Sequence, residues 1–303
     1  RKLLQAILEK NIRLIDYEVL TNERGRRLIA FGKFAGMVGA HNGIMTYGMR
    51  TGKFDLKRMK DCHDYEEAQA IYKRLDLPPM KIVLTGSGRV GTGALEVLKD
   101  MDIQQVEPNE FLKTDFEEPI FTQLMCNHYA ARADGNPFEK RDFYHNPHLY
   151  KSIFKPFAQR ADVMINGIYW DNDAPAFFTK EEMRSPDFNI KVIADVTCDI
   201  APVSSIPSTL RASTIADPIF GYDPRTESET TPFSENSIGM MAIDNLPNEL
   251  PRDASRAFGR QFIEHILPEL FKKESPILER ATVAENGKLG AHFRYLEGYV
   301  KGR

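Results

Sequence analysis

The run KIVLTGSGRVGTGALEVLKDMDIQQVE at 81–107 constrains the fold more than any other part of the chain. An apolar stretch is followed by Gly86, Gly88 and Gly91, then by the helix-forming ALEVL, then by a second strand-like stretch closed by Glu107. The spacing has a physical reason. Gly86 turns the chain sharply off the strand, Gly88 lets the backbone approach a pyrophosphate, and Gly91 lets helix pack on sheet. The helix N-terminus then faces the phosphates with free N–H groups and a positive dipole end. The segment reads as a dinucleotide-binding βαβ unit, with Arg89 inside its loop. Glu107 follows at the distance, about 20 residues, where an acid accepts hydrogen bonds from the adenosine ribose and favours NAD over NADP.

The 303 residues, 42% hydrophobic and 27% charged, suit one large or two ordinary globular domains. A net charge of −3 provides no basic field to recruit nucleic acid or anionic membrane, so small molecules are the expected partners. Cys62, Cys126 and Cys198 are too few and too scattered for a disulfide framework or a metal knuckle, which points to reduced thiols in the cytoplasm. No apolar run approaches the ~20 residues of a membrane span, and no signal peptide is visible.

Expected strands at Ile12–Leu20, 123–126, 162–166, 190–196 and 238–243 alternate with helical segments such as 64–75 and the stretch from Arg252. That rhythm is the signature of a doubly wound α/β sheet. Five glycines between Gly32 and Gly48 would cost an isolated helix roughly 1 kcal/mol each, so that segment needs close tertiary packing. Residues 199–236 read as packed loops and short strands, and the tail from Ile277 as mainly helical. The opening RKLLQAILEKNIRLIDYEVL reads as a βα unit already under way, so an N-terminal region is expected to be missing.

Four stretches resemble one family. RRLIAFGKFAGMVGAHNG at 26–43, LTGSGRVGTGALEVL at 84–98, ADVTCDIAPVSSIPSTLRASTIADP at 194–218 and MMAIDNLPNELPRDAS at 240–255 are similar to the lysine-forming, NAD-dependent saccharopine dehydrogenases of the alanine dehydrogenase and transhydrogenase superfamily. The resemblance implies two Rossmann-like doubly wound domains with a cleft between them, the first represented only in part. Residues 1–30 would be the remnant of the substrate domain, 31–250 the NAD-binding domain, and 251–303 a helical segment returning to the first. It also implies reversible cleavage of saccharopine to lysine and 2-oxoglutarate by hydride transfer and imine hydrolysis. A related amino-acid dehydrogenase and a silent NAD-binding regulator are the alternatives, and the oligomeric state is left open.

Residue by residue, the resemblance makes Glu18 an acid tuning catalytic groups and Arg26 a cofactor-contacting arginine. Gly86, Gly88 and Gly91 become the pyrophosphate loop, Glu107 the ribose acid and Asp244 an acid near the nicotinamide amide. The principal catalytic Lys and His are expected outside this sequence. Arg27 reads as structural, Asp195, Cys198 and Asp199 as cleft-side residues, and Cys198 as no nucleophile, since no His pairs with it in a recognisable pattern. His145 and His148, three apart, lack the Cys or acid partners of a metal site, so no metal is expected.

Overall fold

In the computed structural model, which describes residues 1–302, the apolar run Lys81–Thr85 forms β1, and the unit Gly32–Asp253 is laid out around it. The other strands of its sheet are β2 (Gln104–Gln105), β3 (Ile120–Leu124), β4 (Val163–Asn166), β5 (Val192–Asp195), β6 (Phe220–Asp223), β7 (Ser228–Thr230) and β8 (Ile238–Met241). Their spatial order is β7-β6-β8-β5-β4-β1-β3-β2. The six strands from β8 to β2 in that order are mutually parallel, while β6 and β7 form an antiparallel extension at one end. Every residue of β4, β5 and β8 is buried. Parallel strands covered on both faces read in this way as unbroken apolar runs.

The glycine-rich segment forms one helix, α1 (Gly32–Thr51), which packs on the sheet and on α2 (Arg89–Asp100), the helix leaving the glycine loop. A Cβ on Gly36 would stand 1.9 Å from the Val90 carbonyl oxygen, and one on Gly93 would stand 1.9 Å from the Lys33 carbonyl oxygen. The two helices therefore touch backbone to backbone. Gly43 lets α1 lie on β5, since a Cβ there would meet the Ala194 Cβ at 2.8 Å.

Several polar groups buried by α1 are paired, although Asn42 Oδ1 has no partner among the described residues. His41, fully buried, accepts from the Tyr72 hydroxyl at Nδ1 (2.7 Å) and donates from Nε2 to the Lys57 carbonyl (2.7 Å). Burial pushes its pKa down to about 4, so it is a neutral structural histidine. Glu249 is 0% exposed, accepts from Asn42 Nδ2 at 3.0 Å and pairs with Arg58, whose Nε lies 3.1 Å from Oε2. Two of the stretches that carry the family resemblance, GAHNG and NELP, thus meet through a buried contact with a packing role.

The second unit, Arg1–Phe31 with the chain from Ala254, holds a three-stranded antiparallel sheet of Leu14–Ile15, Thr282–Glu285 and Lys288–Leu289. Two expectations are corrected here. The strand expected over Ile12–Leu20 is only Leu14–Ile15, because the Asp16 side chain accepts from the Glu18 N–H and turns Tyr17–Val19 into a 3-10 helix. The tail contains a hairpin, closed by Asn286 and Gly287 at φ +52° and +70°. That is the pair of positive-φ residues a two-residue turn requires.

Helix α3 (Pro251–Gln261) supplies a control for the helix contact, because nothing lies within 4 Å of a Cβ on its Gly259. Gly259→Ala is expected to stabilise by ~0.5–1 kcal/mol through lost unfolded-state freedom. Gly93→Ala, the same chemical change, is expected to destabilise by at least ~1–3 kcal/mol because backbone must move. Urea unfolding of both variants checks the opposite signs.

Candidate functional site

The C-terminal ends of the six parallel strands share one edge, where an open α/β sheet binds ligands. On it, Gly86 adopts φ +95° with its backbone so close to the next strand connection that a Cβ would lie 2.5 Å from the Gly167 carbonyl oxygen. A Cβ on Gly91 would lie 2.3 Å from the Gly86 carbonyl oxygen. These two glycines are required by the protein itself. Gly88 is not: it is the N-cap of α2, and nothing lies within 4 Å of a Cβ built there. No side chain caps α2, and Ser87, Gly88 and Arg89 are exposed. The loop therefore presents uncapped N–H groups beside open space, the requirement for an approaching diphosphate.

The sheet order corrects the reading of Glu107. The strand beside β1 is β3, and Glu107 lies just past β2, which pairs with β3 and not with β1. At ~4.8 Å per strand, that is ~10 Å from the glycine-loop strand. Glu107 is exposed and stands at the N-cap position of the helix Pro108–Lys113 without a side-chain capping bond. The position at the tip of the neighbouring strand belongs to Met125, followed by Cys126 and Asn127. No carboxylate occurs there.

Beside the loop lies a cavity of about 260 Å³, lined by residues following β3 and residues following β4. Tyr129, Phe143 and Tyr144 come from the first segment, and Tyr169, Trp170 and Phe177 from the second. Tyr129 and Phe177 meet edge to face at 4.9 Å, and Trp170 Nε1 donates to the Pro175 carbonyl at 3.4 Å. A slot between the two strand tips that flank a glycine loop, walled by aromatic faces, suits a flat heteroaromatic ring. The sequence reading missed these residues, although the clustered aromatics of IYWDNDAPAFF were a visible signal.

Farther along the same edge, Asp195 ends β5 fully buried, accepting from Asn166 Nδ2 at 2.9 Å and from the Thr209 hydroxyl at 2.6 Å. Thr85 in turn donates to Asn166 Oδ1 at 2.8 Å, so one polar row ties β1, β4 and β5. Asp195 supports this edge from inside and does not line it. Cys198, at φ +57°, donates to the Ala242 carbonyl at 3.2 Å. Burial and the nearby Asp195, Asp244 and Asp199 carboxylates push its thiol up to about 12, the opposite of a nucleophile's need. Asp244 is exposed just beyond β8, on the edge that also carries the glycine loop.

In the smaller unit, Glu18 is exposed and paired with Arg27, while Arg26 is exposed and engaged through its backbone N–H, which donates to Asn22 Oδ1 at 3.0 Å. Among the described residues no three His, Cys, Asp or Glu side chains stand together as a metal site, and no helix is long and apolar enough to cross a membrane.

The mouse mitochondrial α-aminoadipic semialdehyde synthase is 28% identical over 344 residues, covering 97% of this chain and 37% of that protein. The Neurospora crassa lysine-forming, NAD(+) saccharopine dehydrogenase is 27% identical over 278 residues, covering 88% of this chain and 64% of that protein. The chain thus spans just over a third of the mouse relative. Among solved structures, an L-alanine dehydrogenase superposes with a TM-score of 0.60 at 14% identity, covering 99% of this chain and 72% of that one, which establishes the Rossmann-like α/β fold. No family model matches the chain.

Asp195 gives the site a pH signature. Burial raises its pKa to about 6 in the folded chain, so folding binds its proton more tightly than the unfolded state does. The stabilisation is full below the ordinary aspartate range and is lost as pH rises through about 6. Asp195→Asn is nearly isosteric, keeps one acceptor oxygen and removes the titration. Its stability relative to wild type is expected to rise by roughly 2–3 kcal/mol between pH 4 and 7, read by urea unfolding. His41, which loses stability in the opposite direction as pH falls, is common to both proteins and cancels.

Proposed function

We propose, from the relatedness to the lysine-forming saccharopine dehydrogenases and the α-aminoadipic semialdehyde synthases, that the chain is part of an NAD-dependent oxidoreductase acting on a CH–NH bond of an amino-acid substrate. The observation that carries the reading is the open face of Gly88 at the uncapped N-terminus of α2, on the C-terminal edge of a parallel sheet. A dinucleotide needs that vacant backbone surface, and neither neighbouring glycine provides it.

In this reading the Gly32–Asp253 unit is the cofactor domain. The Ser87–Arg89 backbone holds the diphosphate, the aromatic slot between Tyr129, Tyr144 and Trp170 takes the adenine, and Asp244 stands farther along the edge to orient the nicotinamide amide. NAD, when bound, supplies the hydride acceptor. Saccharopine, cleaved to lysine and 2-oxoglutarate, is the substrate we favour, with the general bases that take the amine proton and activate water contributed from outside the described residues. In this reading Glu18, paired with Arg27, serves as a supporting acid, and Arg26, whose guanidinium has no partner among the described residues, contacts the cofactor. The free thiols suit a reducing compartment such as the cytoplasm. The NAD preference is supported by the name of the fungal relative and not by Glu107.

Two substitutions test the reading by calorimetry with NADH. Gly88→Val fills space needed only by ligand, so it is expected to weaken binding at least tenfold, about 1.4 kcal/mol, with an unchanged melting temperature. Unchanged affinity would make the loop a structural turn. Glu107→Ala is expected to leave the ratio of NADH to NADPH affinities unaltered, and a narrowed ratio would restore Glu107 to the ribose. Activity of the full-length enzyme on saccharopine, compared with alanine, assigns the substrate.

A further inference from the structure

At the opposite edge of the same sheet, where β5 and β8 begin, a second cavity of about 260 Å³ is lined by Arg50, Arg184, Lys191 and Arg225 over a floor that includes Phe188 and Ile238. Two of these cations are committed. Arg184 pairs with Glu227 at 2.8 Å and Arg225 with Asp223 at 2.9 Å. Arg50 and Lys191 have no carboxylate partner among the described residues. Arg50 ends α1, is half-buried, and makes one long hydrogen bond to the Ser237 hydroxyl at 3.4 Å. Desolvation lowers its pKa, offset in part by the Tyr47 phenol and by no carboxylate. The one acid in the lining, Glu235, is exposed and lies toward Arg225.

A guanidinium withdrawn from water without a counter-charge is costly, and its planar fork matches a carboxylate or a phosphate. We propose that this cavity is a binding site for a small dianion, a dicarboxylate or a phosphate monoester, gripped by Arg50 and Lys191 with the Ser237 hydroxyl alongside. It is separate from the dinucleotide edge. Lys191 immediately precedes β5, whose far end carries that edge about 13 Å away for a four-residue strand, and Arg50 reaches the same cavity from the end of α1. The proposal goes beyond the dehydrogenase reading and does not depend on it.

The test is calorimetry of inorganic phosphate and of succinate into the chain, at fixed ionic strength made up with chloride. At least one is expected to bind saturably with a 1:1 stoichiometry, and which one does so distinguishes the phosphate source from the dicarboxylate source. Arg50→Gln and the exposed-site variant Lys191→Gln are each expected to weaken that binding at least fivefold while leaving NADH affinity within twofold of wild type. Saturable binding unaffected by Lys191→Gln in a normally folded variant, or no binding of either anion above chloride, overturns the proposal. Loss of NADH binding by Gly88→Val with retained anion binding would leave this site intact, so the two readings fail independently.

Discussion

The contact on which the rest depends is the backbone-to-backbone crossing of α1 and α2. It exists because Gly36 and Gly93 face each other's helix without side chains, each leaving 1.9 Å where a Cβ would need about twice that. The crossing fixes the start of α2, and Gly86 and Gly91 then bring that start against β1 and the β4 connection. A helix N-terminus set this rigidly can present its N–H groups to a ligand without being reorganised, and preorganisation of that kind is what a binding loop requires. The glycines of α1 look like a liability in isolation and act as the means of assembly.

Sheet order decides what else reaches the ligand edge. The six parallel strands run 2-3-1-4-5-6 by chain sequence in space, where the usual dinucleotide fold has 3-2-1-4-5-6. The exchange puts the segment after β3 beside the glycine loop, and with it the aromatic residues Tyr129, Phe143 and Tyr144. It also sends Glu107 to the outer rim. Asp195, Asn166 and Thr85 knit the interior of the same edge, which makes the buried carboxylate a structural strut whose protonation the fold favours.

The glycine loop was legible in the sequence because its demands are local: a turn, a close approach and a helix start within eleven residues. The neighbour of β1 was not, since pairing between strands some 40 residues apart in chain leaves no mark on spacing, and Glu107 satisfied the local pattern from the wrong strand. The hairpin at Asn286–Gly287 shows the other kind of miss. Its turn signal was present in AENGKL, and the apolar flanks were read as helix. For Glu18, the expectation of an extended strand failed because Asp16 competes for the backbone with its own side chain. Arg27 is found paired with Glu18, a contact between the turn and the 3-10 segment that no local pattern announces.

The chain contains a single tryptophan, Trp170, and it lines the aromatic slot. Its fluorescence therefore reports directly on whether that slot and the glycine loop form one ligand site. Titration with ADP-ribose, which carries the adenosine and both phosphates without the nicotinamide, is expected to change Trp170 emission saturably and in parallel with calorimetric binding. A flat emission titration under conditions where calorimetry shows the ligand bound would contradict the account, because the adenine would then lie somewhere other than between the tips of β3 and β4.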